Sequence, residues 1–190
     1  MPGSMPEGKA FIKDFLINLP ISRILDVGPG SGNYYDLLNG LGEYTNYTGG
    51  TLNEQVEWLA VEIFPDYVNI FNLNSKYDQI FFSDIYDLDW NTIGGKVDVV
   101  ILGDVLEHMS EDRGALVIHM AADYSDYVVL SLPIIDYPQG ESWGNIHEAH
   151  VAQYDPLKIK KLLKGYDIIA SFEGEVIGVY IFRSKYPCLV

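Results

Sequence analysis

One cysteine, Cys188, is all that the sequence holds. An intrachain disulfide and a cysteine-rich zinc site are thereby excluded, and a reducing compartment such as the cytoplasm is the expectation. Basic residues are scarce as well: 12 Lys and Arg stand against 27 Asp and Glu, a formal net charge of −15. Nucleic-acid binders carry a cationic footprint, and this surplus repels a phosphate backbone, so DNA and RNA are disfavoured as partners. Long apolar runs are missing too: "VDVVILGDVL" falls well short of the ~18 residues of a membrane span and carries acids. The start lacks the basic-then-apolar order of a secretory signal. "MPGS", residues 1–4, reads as an expression scar before Met5.

What remains is ordinary globular material. With 48% hydrophobic and 21% charged residues in 190, the chain has the balance and size of one domain, taken as residues 5–190. Apolar β-type runs occupy 23–27, 57–63, 78–85, 96–105 and 126–133. Helical patterns fall between and around them. One covers 6–19 with Phe11, Ile12, Phe15, Leu16 and Leu19 on a face; others cover 33–39, Pro65 to about Phe71, and Ser110 to about Tyr124. A short helix over 155–165 has Asp155 as N-cap, Pro156 at its first position and Gly165 at its end. Two alternating β runs around Gly174 read as a closing hairpin. The polar, glycine-rich stretch 40–57 delays the second strand and reads as an insertion or a small edge hairpin. Strands alternating with helices predict an α/β fold, a doubly wound and mostly parallel sheet whose terminal hairpin adds an antiparallel strand.

In such a sheet ligands bind beyond the carboxyl ends of the strands, so the residues that end each apolar run are the informative ones. "RILDVGPGSGNYYDLL", 23–38, ends its strand in Asp26 and then Gly28-Pro29-Gly30-Ser31-Gly32. Glycines in that turn permit positive φ and close approach of a ligand to backbone. The third glycine comes one position early for a dinucleotide fingerprint, and no Gly-Lys-Ser/Thr follows to make a phosphate loop. Glu62 ends the second run, where an acid accepts hydrogen bonds from ribose hydroxyls in such folds. Asp84 ends the third, beside Ile85, a pairing suited to an adenine amino group and its ring. Gly103-Asp104 ends the fourth.

Taken together and in order, these residues resemble the class I S-adenosylmethionine-dependent methyltransferases over the chain from the first strand onward. "ILDVGPGSG" is similar to the family's first motif, "VEIFPDYV" to its ribose segment, "SDIYDL" to its adenine segment and "DVVILGDVLEHM" to its fourth motif. The resemblance implies a seven-stranded Rossmann-like sheet and S-adenosylmethionine as cofactor, with S-adenosylhomocysteine as product. It implies cofactor contacts at Asp26, Gly28, Pro29, Gly30, Gly32, Glu62, Ile63, Asp84, Ile85, Gly103 and Asp104. Enzymes of the family that methylate adenine or glutamine nitrogen carry Asn/Asp-Pro-Pro-aromatic in the fourth motif. This chain has Gly103-Asp104-Val105-Leu106 there, which resembles the small-molecule branch acting on quinone-, lipid- or sugar-like acceptors. A non-catalytic S-adenosylmethionine-binding module of the same fold is the alternative.

The loop 133–154, after the fifth strand, is the candidate for acceptor recognition. It holds Trp143, Asn145, His147, Glu148, His150 and Tyr154. An imidazole beside an acceptor suits a general base near neutral pH. The candidates are His150 and His108, with Glu148 orienting His150 if the stretch is extended. His147 and His150 are spaced H-x-x-H without the longer helical motif of a zinc protease, so no metal is expected.

Overall fold

The computed structural model describes residues 5–53 and 55–185; residues 1–4 and Cys188 lie outside them. Seven strands form the sheet: β1 (Arg23–Val27), β2 (Glu57–Glu62), β3 (Gln79–Phe82), β4 (Val97–Gly103), β5 (Ser125–Pro133), β6 (Tyr166–Glu173) and β7 (Ile177–Ser184). Their order is β3-β2-β1-β4-β5-β7-β6. Pairing is parallel from β3 through β5, while β7 runs antiparallel to both β5 and β6. The doubly wound sheet and its late hairpin are thus as the alternation requires.

Helices α1 (Lys9–Leu16), α2 (Asn33–Asn39), α3 (Asp66–Ile70), α4 (Glu111–Tyr124) and α5 (Pro156–Leu162) cover the sheet. Consecutive strand residues feed opposite faces, which is why the central strands read as unbroken apolar runs. Leu25, Val27, Val100 and Leu102 pack with Val117, Ile118 and Ile159 on the α4–α5 side. Ile24, Val99 and Ile101 pack with Ile12, Leu16 and Leu37 on the α1–α2 side.

Four local expectations are corrected. Of the two readings of 40–57, the edge hairpin is not seen among the described residues: a 3-10 turn over Gly42–Asn46 buries Tyr44 against the α1–α2 face. β3 stops at Phe82, because β2, its one neighbour among the described residues, ends at Glu62 opposite that residue. α1 begins at Lys9 after Gly8 in a left-handed conformation, and it buries Lys9, Ile12, Lys13 and Leu16 while Phe11 and Phe15 stay half-buried. The Lys9 ammonium lies 3.5 Å from the Tyr34 ring centroid, a cation–π contact that makes its burial tolerable. Ser110 does stand before α4, but its hydroxyl makes no capping bond, whereas the Asp155 carboxylate accepts from the Lys158 amide at 2.8 Å.

Candidate active site

Register sets the site. Val27 pairs with both Val61 and Leu102, so Gly28, Glu62 and Gly103 come abreast at the carboxyl ends of β1, β2 and β4. Chain direction diverges between β1 and β4, the switch point at which open α/β sheets leave a crevice. One cleft opens there, walled by Gly28, Pro29, Gly30, Glu62, Ile63, Asp84, Ile85, Gly103 and Asp104, and further out by Glu107, His108, Glu148 and His150.

The glycine turn leaves β1 with Gly28 at φ 61° and Gly30 at φ 55°, values that only glycine adopts without strain. Two expected cofactor residues do not reach the cleft. Asp26 is 1% exposed beneath the turn, its Oδ2 accepting from the Tyr77 hydroxyl at 2.6 Å. Burial pushes its pKa up to about 7, against the pull of Tyr77 and Lys9. Gly32 heads α2 and is covered by the Lys76 side chain. Both are therefore supports of the turn rather than walls of the cleft. Lys76 and Tyr77 are their partners, and no motif or periodicity marks either. Lys76 Nζ donates to the Ser31 carbonyl at 3.0 Å and to Asp36 Oδ2 at 2.6 Å, holding the turn against α2.

Glu62 is 3% exposed and faces the cleft. Its Oε1 accepts from the Phe64 amide at 2.8 Å; its buried Oε2 has no partner among the described residues. A buried acceptor left open costs stability, and such a group signals a donor that arrives with a ligand. Burial raises its pKa to about 7, with the Glu148 charge adding to the shift and the Phe64 amide opposing it. Asp84 is committed differently from expectation. Arg113, on α4, donates from Nη2 to Asp84 Oδ2 at 2.7 Å while the Tyr86 amide donates to Oδ1 at 2.9 Å. Arg113 also stacks 4.4 Å from the Tyr86 ring centroid, so this corner is a fixed ion pair beside Ile85.

Asp104 turns the chain out of β4 with φ 56°, an uncommon conformation for a non-glycine residue, and its amide donates to the Ser131 carbonyl at 2.7 Å. Its Oδ2 is buried without a partner among the described residues. Strained backbone of this kind clusters at functional sites. Glu107 follows in the next turn, 3% exposed, with a likewise unpartnered Oε2. Burial first, and then Asp104, push its carboxyl well above the ordinary range.

The loop after β5 lies across this end of the cleft. Val151 and Ala152 donate their amides to the Glu107 carbonyl, at 2.8 and 3.1 Å. The expected Glu148–His150 relay is not formed. Residues Ile146–Glu148 make a 3-10 turn, and Glu148 Oε1 accepts instead from the Tyr67 hydroxyl on α3 at 2.9 Å. His150 Nδ1 sits 2.6 Å from the Tyr137 carbonyl, so it is backbone that orients this ring. His108 Nδ1 lies 3.3 Å from the Ala149 carbonyl, and the two imidazoles meet edge to face at 4.8 Å between centroids. Burial, and secondarily His150, lower the His108 pKa. Asn145 and His147 line the cleft, whereas Trp143 is 59% exposed and Tyr154 is buried in the α4–α5 core.

No family model matches the sequence, and no curated protein matches it. Solved structures do match in fold. The N-terminal domain of EvdMO1 with S-adenosylhomocysteine bound aligns with 96% of this chain and 83% of its own, at TM-score 0.66 and 14% identity. Magnesium protoporphyrin IX methyltransferase from Synechocystis PCC 6803, also with S-adenosylhomocysteine bound, covers 93% of this chain and 84% of its own, at TM-score 0.61 and 20% identity. The small RNA methyltransferase HEN1 aligns over 98% of this chain and 26% of its own, at TM-score 0.66 and 16% identity.

Proposed function

We propose, from a fold shared with the class I S-adenosylmethionine-dependent methyltransferases, that the protein transfers a methyl group from S-adenosylmethionine to a small-molecule acceptor. The observation that carries the reading is the open, buried Oε2 of Glu62 abreast of the Gly28–Gly30 turn. A ribose diol offers the donors that this carboxylate lacks, and the glycines leave backbone bare for the methionine end. Ile63 and Ile85 give apolar walls for an adenine, next to the Asp84–Arg113 pair. Asp104 suits the cationic amino group. When bound, the sulfonium supplies an electrophilic methyl carbon.

The chain's own part is then placement and exclusion of water. The Tyr67–Glu148 bond and the amides given to Glu107 hold the 133–154 loop over the cleft mouth. His108, Glu148 and His150 form the acceptor end. The net charge of −15 supports a small acceptor over a nucleic acid. Quinone-, lipid- and sugar-like acceptors remain the chemical range that the fourth motif suggests. Incubation with labelled S-adenosylmethionine and an extract of the native host is expected to place label on a low-molecular-weight acceptor. His150→Gln should lose that transfer while S-adenosylhomocysteine affinity and melting temperature stay unchanged. Tight cofactor binding with no labelled product in any extract fraction favours the non-catalytic module.

A further inference from the structure

We propose that Glu107, His108 and His150 form a divalent-metal site at the acceptor end of the cleft, taking Mn²⁺, Fe²⁺, Co²⁺ or Zn²⁺. Each offers one ligand atom, and these atoms all lie within 4.8 Å of one another. Bonds of about 2.0–2.2 Å require donors on one ion to stand no more than ~4.4 Å apart, so a small rotation of the imidazoles draws the set together. Both rings are prepared for ligation. Each Nδ1 faces a backbone carbonyl, Ala149 for His108 and Tyr137 for His150, which places the ring proton there and leaves Nε2 as the lone-pair donor. Glu107 Oε2 is buried, unpartnered among the described residues, and belongs to a residue that walls the cleft. Three residues earlier, Asp104 adds a second unpartnered carboxylate oxygen to the same cleft. A dication answers the Glu107 oxygen, and the Asp104 carboxylate, left to the amino group, adds its negative charge to the same end of the cleft.

Two imidazoles and one carboxylate suit a borderline transition ion rather than Ca²⁺ or Mg²⁺, which prefer all-oxygen shells. The sequence expectation of no metal rested on the spacing of His147 and His150; the proposed site uses a different pair of histidines. The fold instead joins the Glu107-His108 turn after β4 to a histidine of the loop after β5.

Three protein ligands leave coordination positions open, as in catalytic rather than structural sites. In the proposed methyl-transfer reading, on which this role rests, an acceptor hydroxyl occupies one of them. The ion lowers its pKa; the O–H bond breaks with its electron pair kept by oxygen, and the proton passes to water. This assigns the acceptor as an oxygen nucleophile and makes His150 a ligand rather than a free base.

The test needs no acceptor. Chelator-treated full-length protein is titrated with Mn²⁺ while the electron paramagnetic resonance signal of free Mn²⁺ is followed. One equivalent should be bound, and His108→Gln and His150→Gln should each weaken binding at least tenfold. Glu107 is buried and its substitution endangers folding, so the two histidine variants decide. A wild type that leaves the free-ion signal unchanged, or variants that bind Mn²⁺ as well as wild type, overturns the site. S-adenosylhomocysteine titrated into the same metal-free samples separates the two proposals. Cofactor binding without Mn²⁺ binding removes the metal site alone; Mn²⁺ binding without cofactor binding removes the methyl-transfer reading alone.

Discussion

Glu62→Ala is expected to bind S-adenosylhomocysteine about 10- to 150-fold less tightly than wild type, with little loss of folding stability. The carboxylate is the group at the end of β2 with a buried oxygen open toward the cleft. A hydrogen bond to a charged group is worth about 1.5–3 kcal/mol, which converts to that range. Stability should hold because removing an unsatisfied buried charge offsets the lost packing. The same residue fixes a pH dependence. In the free protein its pKa is raised to about 7, and donors arriving from a diol favour the charged form, so the bound pKa is lower. Affinity is therefore full above pH 7 and falls as pH is lowered through it. Calorimetric titrations from pH 8 to pH 5.5 should show that decline in wild type and a flatter profile in Glu62→Ala. Equal wild-type affinity across the range would remove Glu62 from the binding account.

Gly103→Ala is expected to be more damaging, for a steric reason. A Cβ at this position meets the Tyr34 ring with Cε2 at 2.0 Å, a distance at which the ring must move. Tyr34 is packed in the α1–α2 core, supports Lys9 and reaches the cleft wall, so it has nowhere favourable to go. Overpacking of this kind costs about 1–3 kcal/mol, or a melting temperature lower by roughly 2–12 °C in a domain of this size. Displacing the ring into the cleft should abolish S-adenosylhomocysteine binding as well. Gly140→Ala is the control, since a Cβ there meets nothing within 4 Å. Thermal melts with and without S-adenosylhomocysteine read both effects. A Gly103→Ala variant that melts and binds like Gly140→Ala would contradict the close Tyr34 packing.

The strands were legible because the central ones are buried on both faces, and unbroken Val, Ile and Leu runs have few other readings. Their ends carried the site for the same reason: Glu62, Asp84 and Asp104 stand out as acids only where an apolar run stops. What sequence could not give was the direction of each carboxylate. Asp26 and Glu62 look alike on the page, yet Tyr77 holds one beneath the turn while the other keeps an oxygen free in the cleft. Tyr77 and Lys76 sit in a polar stretch before a short edge strand, with no periodicity to mark them. Lys9 and Lys13 are buried on α1 against the hydropathy pattern, because Tyr34 gives Lys9 an aromatic face that no local rule anticipates. The acceptor end was half visible. His108 and His150 stand out as imidazoles near the strand ends, whereas Glu107 is one more acid in "DVLEHM". Only the loop crossing over β4 brings it to His150.

Calorimetric titration of the wild-type protein with S-adenosylhomocysteine at pH 8, set beside the same titration with NAD, tests the central claim most directly. Saturable binding of S-adenosylhomocysteine at one site per chain and no heat from NAD is the predicted result. No heat from S-adenosylhomocysteine, or saturable binding of NAD in its place, would contradict it.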